Sequence, residues 1–191
     1  MDHAPSLDDT DRERAELELL VARCQLGEAA AFDALVARWH EPLWRYLRGA
    51  TGDPEVAREV LQESWVRILR GIDRLRDASR LRPWLFSIAR RAFMDRLRVR
   101  YAHEGHEPLG DEPADDSLPA ELAWEDAERL HAALDRLSPP DRETTVLFYL
   151  RELDLQEVAD VLAVPVGTVK SRLHRARRFL RAQLTAQGGS R

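Results

Sequence analysis

One cysteine in 191 residues, Cys24, leaves no partner for an internal disulfide and no sulfur cluster for zinc. Glycine and proline number 9 and 10, too few for a disordered or collagen-like chain. No window reaches the roughly 18 consecutive apolar residues of a membrane helix. The opening segment, MDHAPSLDDTDRERAE, is acidic and lacks a basic stretch followed by an apolar run. No secretory leader is therefore expected, and a cytoplasmic protein is. The 6 histidines are scattered, with no second ligand at metal spacing. There is no glycine-rich phosphate loop, no nucleophile elbow and no converging His/acid set. Neither an enzyme nor a cofactor is expected.

What is abundant points one way. Ala, Leu, Arg and Glu make up 98 of the 191 residues, and all four favour helices. An all-α fold is the expectation. Net charge is −5, yet the charge is sorted along the chain. Residues 67–100 hold 11 Arg against 3 Asp. Residues 166–182 hold Lys170, Arg172, Arg175, Arg177, Arg178 and Arg181 and no acid. Residues 104–128 hold 10 acids and no Lys or Arg. Two basic blocks flank an acidic spacer.

Helical spacing of Leu17, Leu20, Val21 and Cys24 predicts a helix over 11–26. A second, over 28–48, places Phe32, Leu35, Val36, Trp39, Leu43 and Leu47 on one face. Pro42 is expected to bend it, and Gly49 and Gly52 to close it. Asp53 followed by Pro54 starts a third helix, running to Arg70 with Val56, Val60, Leu61, Val66, Ile68 and Leu69. A fourth covers 81–100. Residues 102–118 read as a flexible acidic linker. Helical pattern returns at Leu122, Leu130, Leu134 and Leu137. Ser138-Pro139-Pro140-Asp141 breaks and restarts it. The run 145–150 is apolar, but its flanks are helical. Two short helices follow, over 155–163 and 167–182.

Those last two carry a helix-turn-helix pattern. Val158, Ala159 and Leu162 would face inward from the first, and Val169, Leu173 and Ala176 from the second. The second helix would expose Lys170, Ser171, His174, Arg175 and Arg178. Its early residues could meet base edges while later arginines hold phosphates. An α-hairpin with a solvated basic face would show the same spacing, but no acid interrupts this basic run.

The segment Gly52-Asp53 through Ala57-Arg58-Glu59-Val60-Leu61-Gln62-Glu63-Ser64-Trp65 resembles the polymerase-docking segment of sigma-70 family factors. Arg82-Pro83-Trp84-Leu85-Phe86-Ser87-Ile88-Ala89-Arg90-Arg91, with Asp95-Arg96-Leu97-Arg98, is similar to the promoter-melting segment. Gly167-Thr168-Val169-Lys170-Ser171-Arg172 resembles that family's −35 reader. Arg91 stands where the family usually has Asn, and Glu59 where it has Asp. The order and spacing of these motifs over residues 15–183 resemble an extracytoplasmic-function (ECF, group IV) sigma factor.

The resemblance implies two helical domains, 11–101 and 119–185, joined by the linker 102–118. It implies core polymerase contacts by Glu59, Gln62, Glu63, Trp65 and Arg67. It implies −10 DNA contacts by Arg80, Arg82, Trp84, Arg90, Arg91, Asp95, Arg96 and Arg98. It implies −35 contacts by Thr168, Lys170, Ser171, Arg172, His174, Arg175 and Arg178. The implied partners are core RNA polymerase (its clamp helices and flap), duplex −35 DNA, single-stranded −10 DNA and an anti-sigma factor. Membrane insertion is not among them.

Plainer readings stand beside these. Val60, Leu61 and Trp65 are core residues by default, and Trp84 is as good an anchor as a base platform. Cys24 reads as a buried, inert thiol. A helix-turn-helix regulator with a sensing N-terminal half would share the Thr168-Val169-Lys170 pattern. It would need a dimer for a palindromic site, and the basic block at 67–100 would be left without a role. A purely protein-binding module would leave the basic last helix unexplained.

Overall fold

A computed structural model describes residues 7–104, 133–134 and 136–188. The described residues are helical and contain no strand, as the composition predicts. The chain divides into two units, Met1–Gly105 and His106–Arg191. The linker expected at 102–118 lies almost wholly outside the described residues, apart from the helical end at 102–104.

Among the described residues the first unit holds four α-helices: α1 Leu7–Gln25, α2 Ala29–Thr51, α3 Pro54–Gly71 and α4 Leu81–Glu104. Pro42 sits inside α2 without ending it, and Gly49 is likewise internal. Closure falls to Gly52 alone, whose φ of 72° supplies the left-handed cap that a side chain resists. Asp53 then starts α3. Its Oδ1 accepts from the N–H groups of Glu55 at 2.8 Å and Val56 at 3.3 Å. That satisfies donors the first helical turn leaves orphaned.

Each helix buries a stripe. From α3 it is Ala57, Val60, Leu61, Ser64 and Ile68. Ser64 is the polar member, and its Oγ donates to Val60 O at 2.6 Å, so its burial carries no unmet hydrogen bond. Leu35, Leu43, Tyr46 and Leu47 of α2 and Leu81, Leu85, Phe86 and Ala89 of α4 complete the core. Tyr46 and Phe86 meet edge to face, with ring centroids 5.4 Å apart. Cys24 is buried, and burial pushes its thiol up, away from the reactive thiolate.

Two 3₁₀ turns, Ile72–Arg74 and Ala78–Arg80, join α3 to α4. One side chain of α1 bonds to this loop twice. Gln25 Nε2 donates to Ile72 O at 3.0 Å and to Leu75 O at 2.8 Å.

The second unit holds α5 Pro139–Thr145, a π-helical turn Val146–Leu150, α6 Leu155–Leu162 and α7 Val166–Gly188. Ala133, Leu134 and Leu137 pack with Ala176 and Leu180. The apolar run at 145–150 is thus helical, but wound wider than α. Ser138 caps α5, and Asp154 caps α6 through a reciprocal box with Glu157. Val158, Ala159 and Leu162 of α6 and Val169, Leu173 and Ala176 of α7 are all buried, as their spacing predicts. Between these helices Ala163 takes a left-handed φ of 56°.

Candidate nucleic-acid interfaces

On α7 the basic residues divide between two sides. Lys170 and His174 are half-buried and Arg178 is exposed. At four-residue intervals they form one stripe. Thr168, also half-buried, lies in the first turn, its N–H donating to Pro165 O at 2.9 Å. The face expected of Lys170, Ser171, His174 and Arg175 is not what forms. Ser171 is only 3% exposed, and its Oγ donates to Thr168 O at 2.9 Å. A short hydroxyl satisfied by its own helix does not reach outward. Arg172 is 5% exposed, so it too departs from an outward-facing role. Arg175 turns to α5, where its Nη2 and Nε meet Asp141 at 2.8 and 3.3 Å.

Sequence reasoning passed over Arg177. Its Nε donates to the Tyr149 hydroxyl, and its guanidinium lies 5.4 Å from that ring's centroid. It bounds an open groove of about 870 Å³, lined also by Phe148, Tyr149, Leu153 and Leu155. The π-helical turn presents the two aromatics there.

In the first unit, Arg67, Gly71, Arg74, Trp84, Ile88 and Arg91 line a cleft of about 260 Å³. Three arginines and a tryptophan thus line one small concavity. Trp84 is half-buried, which is compatible with the anchoring reading and with the platform reading. Arg91 folds back along α4, its Nε donating to Ser87 O at 3.1 Å. Ser87 Oγ in turn donates to Trp84 O at 2.8 Å. Arg82 and Arg90 are half-buried, and Arg80, Arg96 and Arg98 are exposed.

The residues expected at −10 DNA and those expected at polymerase are joined by ion pairs. Arg96 of α4 pairs with Glu59 of α3. Arg67 of α3 pairs with Glu63 and with Asp95 of α4, and Asp95 also meets Arg98 at 3.4 Å. Hydrogen bonding to Asp95 leads the causes that raise the Arg67 pKa. Asp95 therefore sits among guanidinium groups.

Gln62 and Glu63 are exposed on α3. Trp65 is half-buried and meets Phe32 edge to face, with centroids 6.0 Å apart. Val66 and Leu69 are 42% and 57% exposed. Sequence reasoning grouped these two with the other apolar residues of the helix and did not mark them as a contact surface. The signal was present: both fall off the 57, 60, 61, 64, 68 stripe.

Residues 35–102 match the model for Sigma-70 region 2, and residues 127–180 that for Sigma-70, region 4. The ECF RNA polymerase sigma factor SigL of Mycobacterium tuberculosis is 33% identical over 174 residues, which cover 90% of this chain and 98% of that protein. The chain belongs to the ECF family of RNA polymerase sigma factors.

Other proteins are similar to this chain. SigW of Bacillus subtilis is 28% identical over 176 residues, covering 86% of this chain and 94% of that one. The structure of CnrH in complex with the cytosolic domain of CnrY has 26% identity and a TM-score of 0.63, covering 88% of this chain and 96% of that one. The sigma factor RpoE of Bartonella quintana, solved with the anti-sigma factor NepR, shares the fold at a TM-score of 0.65 and 24% identity, covering 84% of this chain and 98% of that one. Region 2 of the family model thus spans α3, α4 and the arginine-lined cleft, and region 4 spans the helix-turn-helix.

Proposed function

We propose that this sigma factor docks on core RNA polymerase through α3, captures an unpaired −10 base in the cleft beside Trp84, and reads duplex −35 DNA with α7. One observation carries the reading. The chain pairs a duplex-reading motif in one unit with an arginine-lined, indole-walled cleft in the other. Duplex is read by a helix in a groove. A single strand is held by stacking on an aromatic face plus cationic contact to its backbone. One protein carrying both is suited to recognising a promoter and keeping it open.

The roles divide by geometry. Gln62, Glu63, Val66 and Leu69 offer polar and apolar contacts to the clamp helices, with Glu59, Trp65 and Arg67 beside them. Arg74, Trp84 and Arg91 receive the base, and Arg80, Arg82, Arg90, Arg96 and Arg98 hold the strand's phosphates. Asp95 orients Arg67 and Arg98 rather than meeting DNA. Lys170 and His174 reach base edges, Arg178 a phosphate, and Thr168 the backbone at the helix start. The apolar groove at Phe148 and Tyr149 suits the polymerase flap.

The domains run over 11–101 and 119–185, joined by the acidic stretch 102–118. The chain performs no chemistry of its own, since the polymerase supplies the active site. It acts in the cytoplasm. Control by an anti-sigma factor extends to this chain what NepR is to RpoE of Bartonella quintana.

In vitro transcription tests this. Core polymerase alone and core plus the chain are given a library of genomic fragments. Discrete new start sites that depend on the chain support the reading. No start sites, together with binding of duplex DNA by the chain without polymerase, would instead support a helix-turn-helix regulator.

A further inference from the structure

The pair between Asp141 and Arg175 is built differently from the chain's surface ion pairs. Asp141 is 7% exposed, whereas Glu59 and Glu63 are exposed and Asp95 is half-buried. Both carboxylate oxygens are engaged, one by Nη2 at 2.8 Å and one by Nε at 3.3 Å. That fork-on-fork geometry fixes direction as well as distance.

The carboxylate is itself immobile. Asp141 lies in the first turn of α5, just after the Ser138 cap and Pro139. Its N–H donates to Ser138 Oγ at 3.4 Å, and its carbonyl accepts from Thr145 Oγ1 at 2.7 Å. Drawing Arg175 away to a DNA phosphate would leave this carboxylate buried and uncompensated, which is strongly unfavourable.

Elsewhere α7 is held by an apolar seam, Val169, Leu173, Ala176 and Leu180, and by polar contacts to more open partners, Arg177 donating to the Tyr149 hydroxyl and Gln183 accepting from Arg136. Apolar burial is non-directional, so a seam of this kind tolerates small rotations. A bidentate ion pair to a fixed point does not.

We infer that Asp141 is a positioning residue for −35 recognition. It grips Arg175 and so sets the rotation of α7 at which Lys170 and His174 meet the major groove. Arg175 is the strut of this device and not a phosphate contact. The inference rests on the reading of α7 as the −35 helix.

The test uses the full chain on core polymerase. Promoter fragments with a randomised −35 and a fixed −10 are selected by the wild-type holoenzyme. The salt dependence of binding is then measured on the selected duplex. Arg178→Gln, a phosphate contact, is expected to lower the salt slope by about one and keep the base preferences. Asp141→Asn and Arg175→Gln are expected to leave the slope undiminished by a unit and flatten the −35 preferences at least threefold. The discrimination among −10 variants is expected to stay.

Arg175→Lys keeps the charge but loses the fork, and it guards against variants that fail to fold. It is expected to flatten the preferences as Arg175→Gln does. If Arg175→Lys keeps them and Arg175→Gln lowers the slope by one, Arg175 is a phosphate contact and the inference falls. If binding weakens equally on all −35 sequences, the pair is a structural support only, and the inference falls as well. A wild-type holoenzyme with no −35 preference at all would overturn the reading of α7 itself, a result separate from either.

Discussion

Arg67 on α3 donates to Asp95 on α4 at 2.7 Å, joining the helix proposed to dock on polymerase to the helix proposed to meet −10 DNA. The same guanidinium takes Glu63 from its own helix, so one cation links two acids. Both partners remain partly open to water, which limits the strength of the link. A double-mutant cycle on Arg67→Ala and Asp95→Ala should give a coupling of about 0.2–1 kcal/mol in urea unfolding. Additive losses would show that the contact contributes nothing.

Docking on polymerase should depend on the exposed apolar pair of α3. Val66→Ser with Leu69→Ser is expected to weaken core binding at least tenfold while the melting temperature stays within a few degrees. Gln62→Ala with Glu63→Arg should act in the same direction through the polar rim. Fluorescence anisotropy against core polymerase reads both. A folded quadruple variant that binds core normally would place the docking surface elsewhere.

The turn between α6 and α7 holds Ala163 in a left-handed conformation at φ 56°. A Cβ disfavours that region by roughly 1–2 kcal/mol, and glycine enters it freely. Ala163→Gly should therefore stabilise the second unit by about 0.5–1 kcal/mol, after the larger entropy loss of glycine is set against the relief. Thermal unfolding followed by circular dichroism should show a midpoint raised by a few degrees. A lowered midpoint would mean that the alanine methyl packs to more effect than its backbone is strained.

Acid should loosen the turn that carries Arg80. Asp77 caps it, accepting from the Ser79 hydroxyl at 2.6 Å and the Ser79 N–H at 3.0 Å. These two bonds, the hydroxyl first, hold the carboxyl below its ordinary value. A group whose folded pKa is depressed contributes order that is present above its unfolded pKa, about 3.9, and is lost as pH falls through the lower folded value. The Ser79 amide resonance should shift in that acid window and stay constant above about pH 5. Asp77→Asn should abolish the titration.

Trp84→Ala should weaken binding of the holoenzyme to a single-stranded −10 oligonucleotide by roughly 1–3 kcal/mol if the indole is a stacking platform. Trp84→Phe should recover part of that. Equal losses for both, with lowered thermal stability, would make Trp84 an anchor alone.

Much of this was legible beforehand because local chemistry sets it. Asp53-Pro54 marks a helix start in any context, and the buried stripe of α3 follows from spacing. The helix-turn-helix seam at Val158, Ala159, Leu162, Val169, Leu173 and Ala176 needed no tertiary information. What stayed hidden was long-range or finely conformational. Nothing near Arg175 in sequence announces Asp141, 34 positions earlier, so an outward-facing arginine was the natural reading. Ser171 was assigned by helical position, but a hydroxyl can satisfy itself on its own helix. The π-helical turn at Val146–Leu150 has no sequence signature in spacing alone. Gly49 looked like a terminator because glycine often is one. Only Gly52 has the positive φ that ends α2.

The loop from α3 to α4 hangs on the terminal amide of Gln25, whose two N–H bonds end on Ile72 O and Leu75 O. Shape has little part in that choice. A glutamate would fit the same space and offer oxygen to two carbonyls, turning both attractions into repulsions. Deamidation makes just that exchange. Both of these bonds from α1 to the loop therefore depend on a single nitrogen, and slow chemical ageing at one exposed side chain would remove the pair of them with every apolar contact intact.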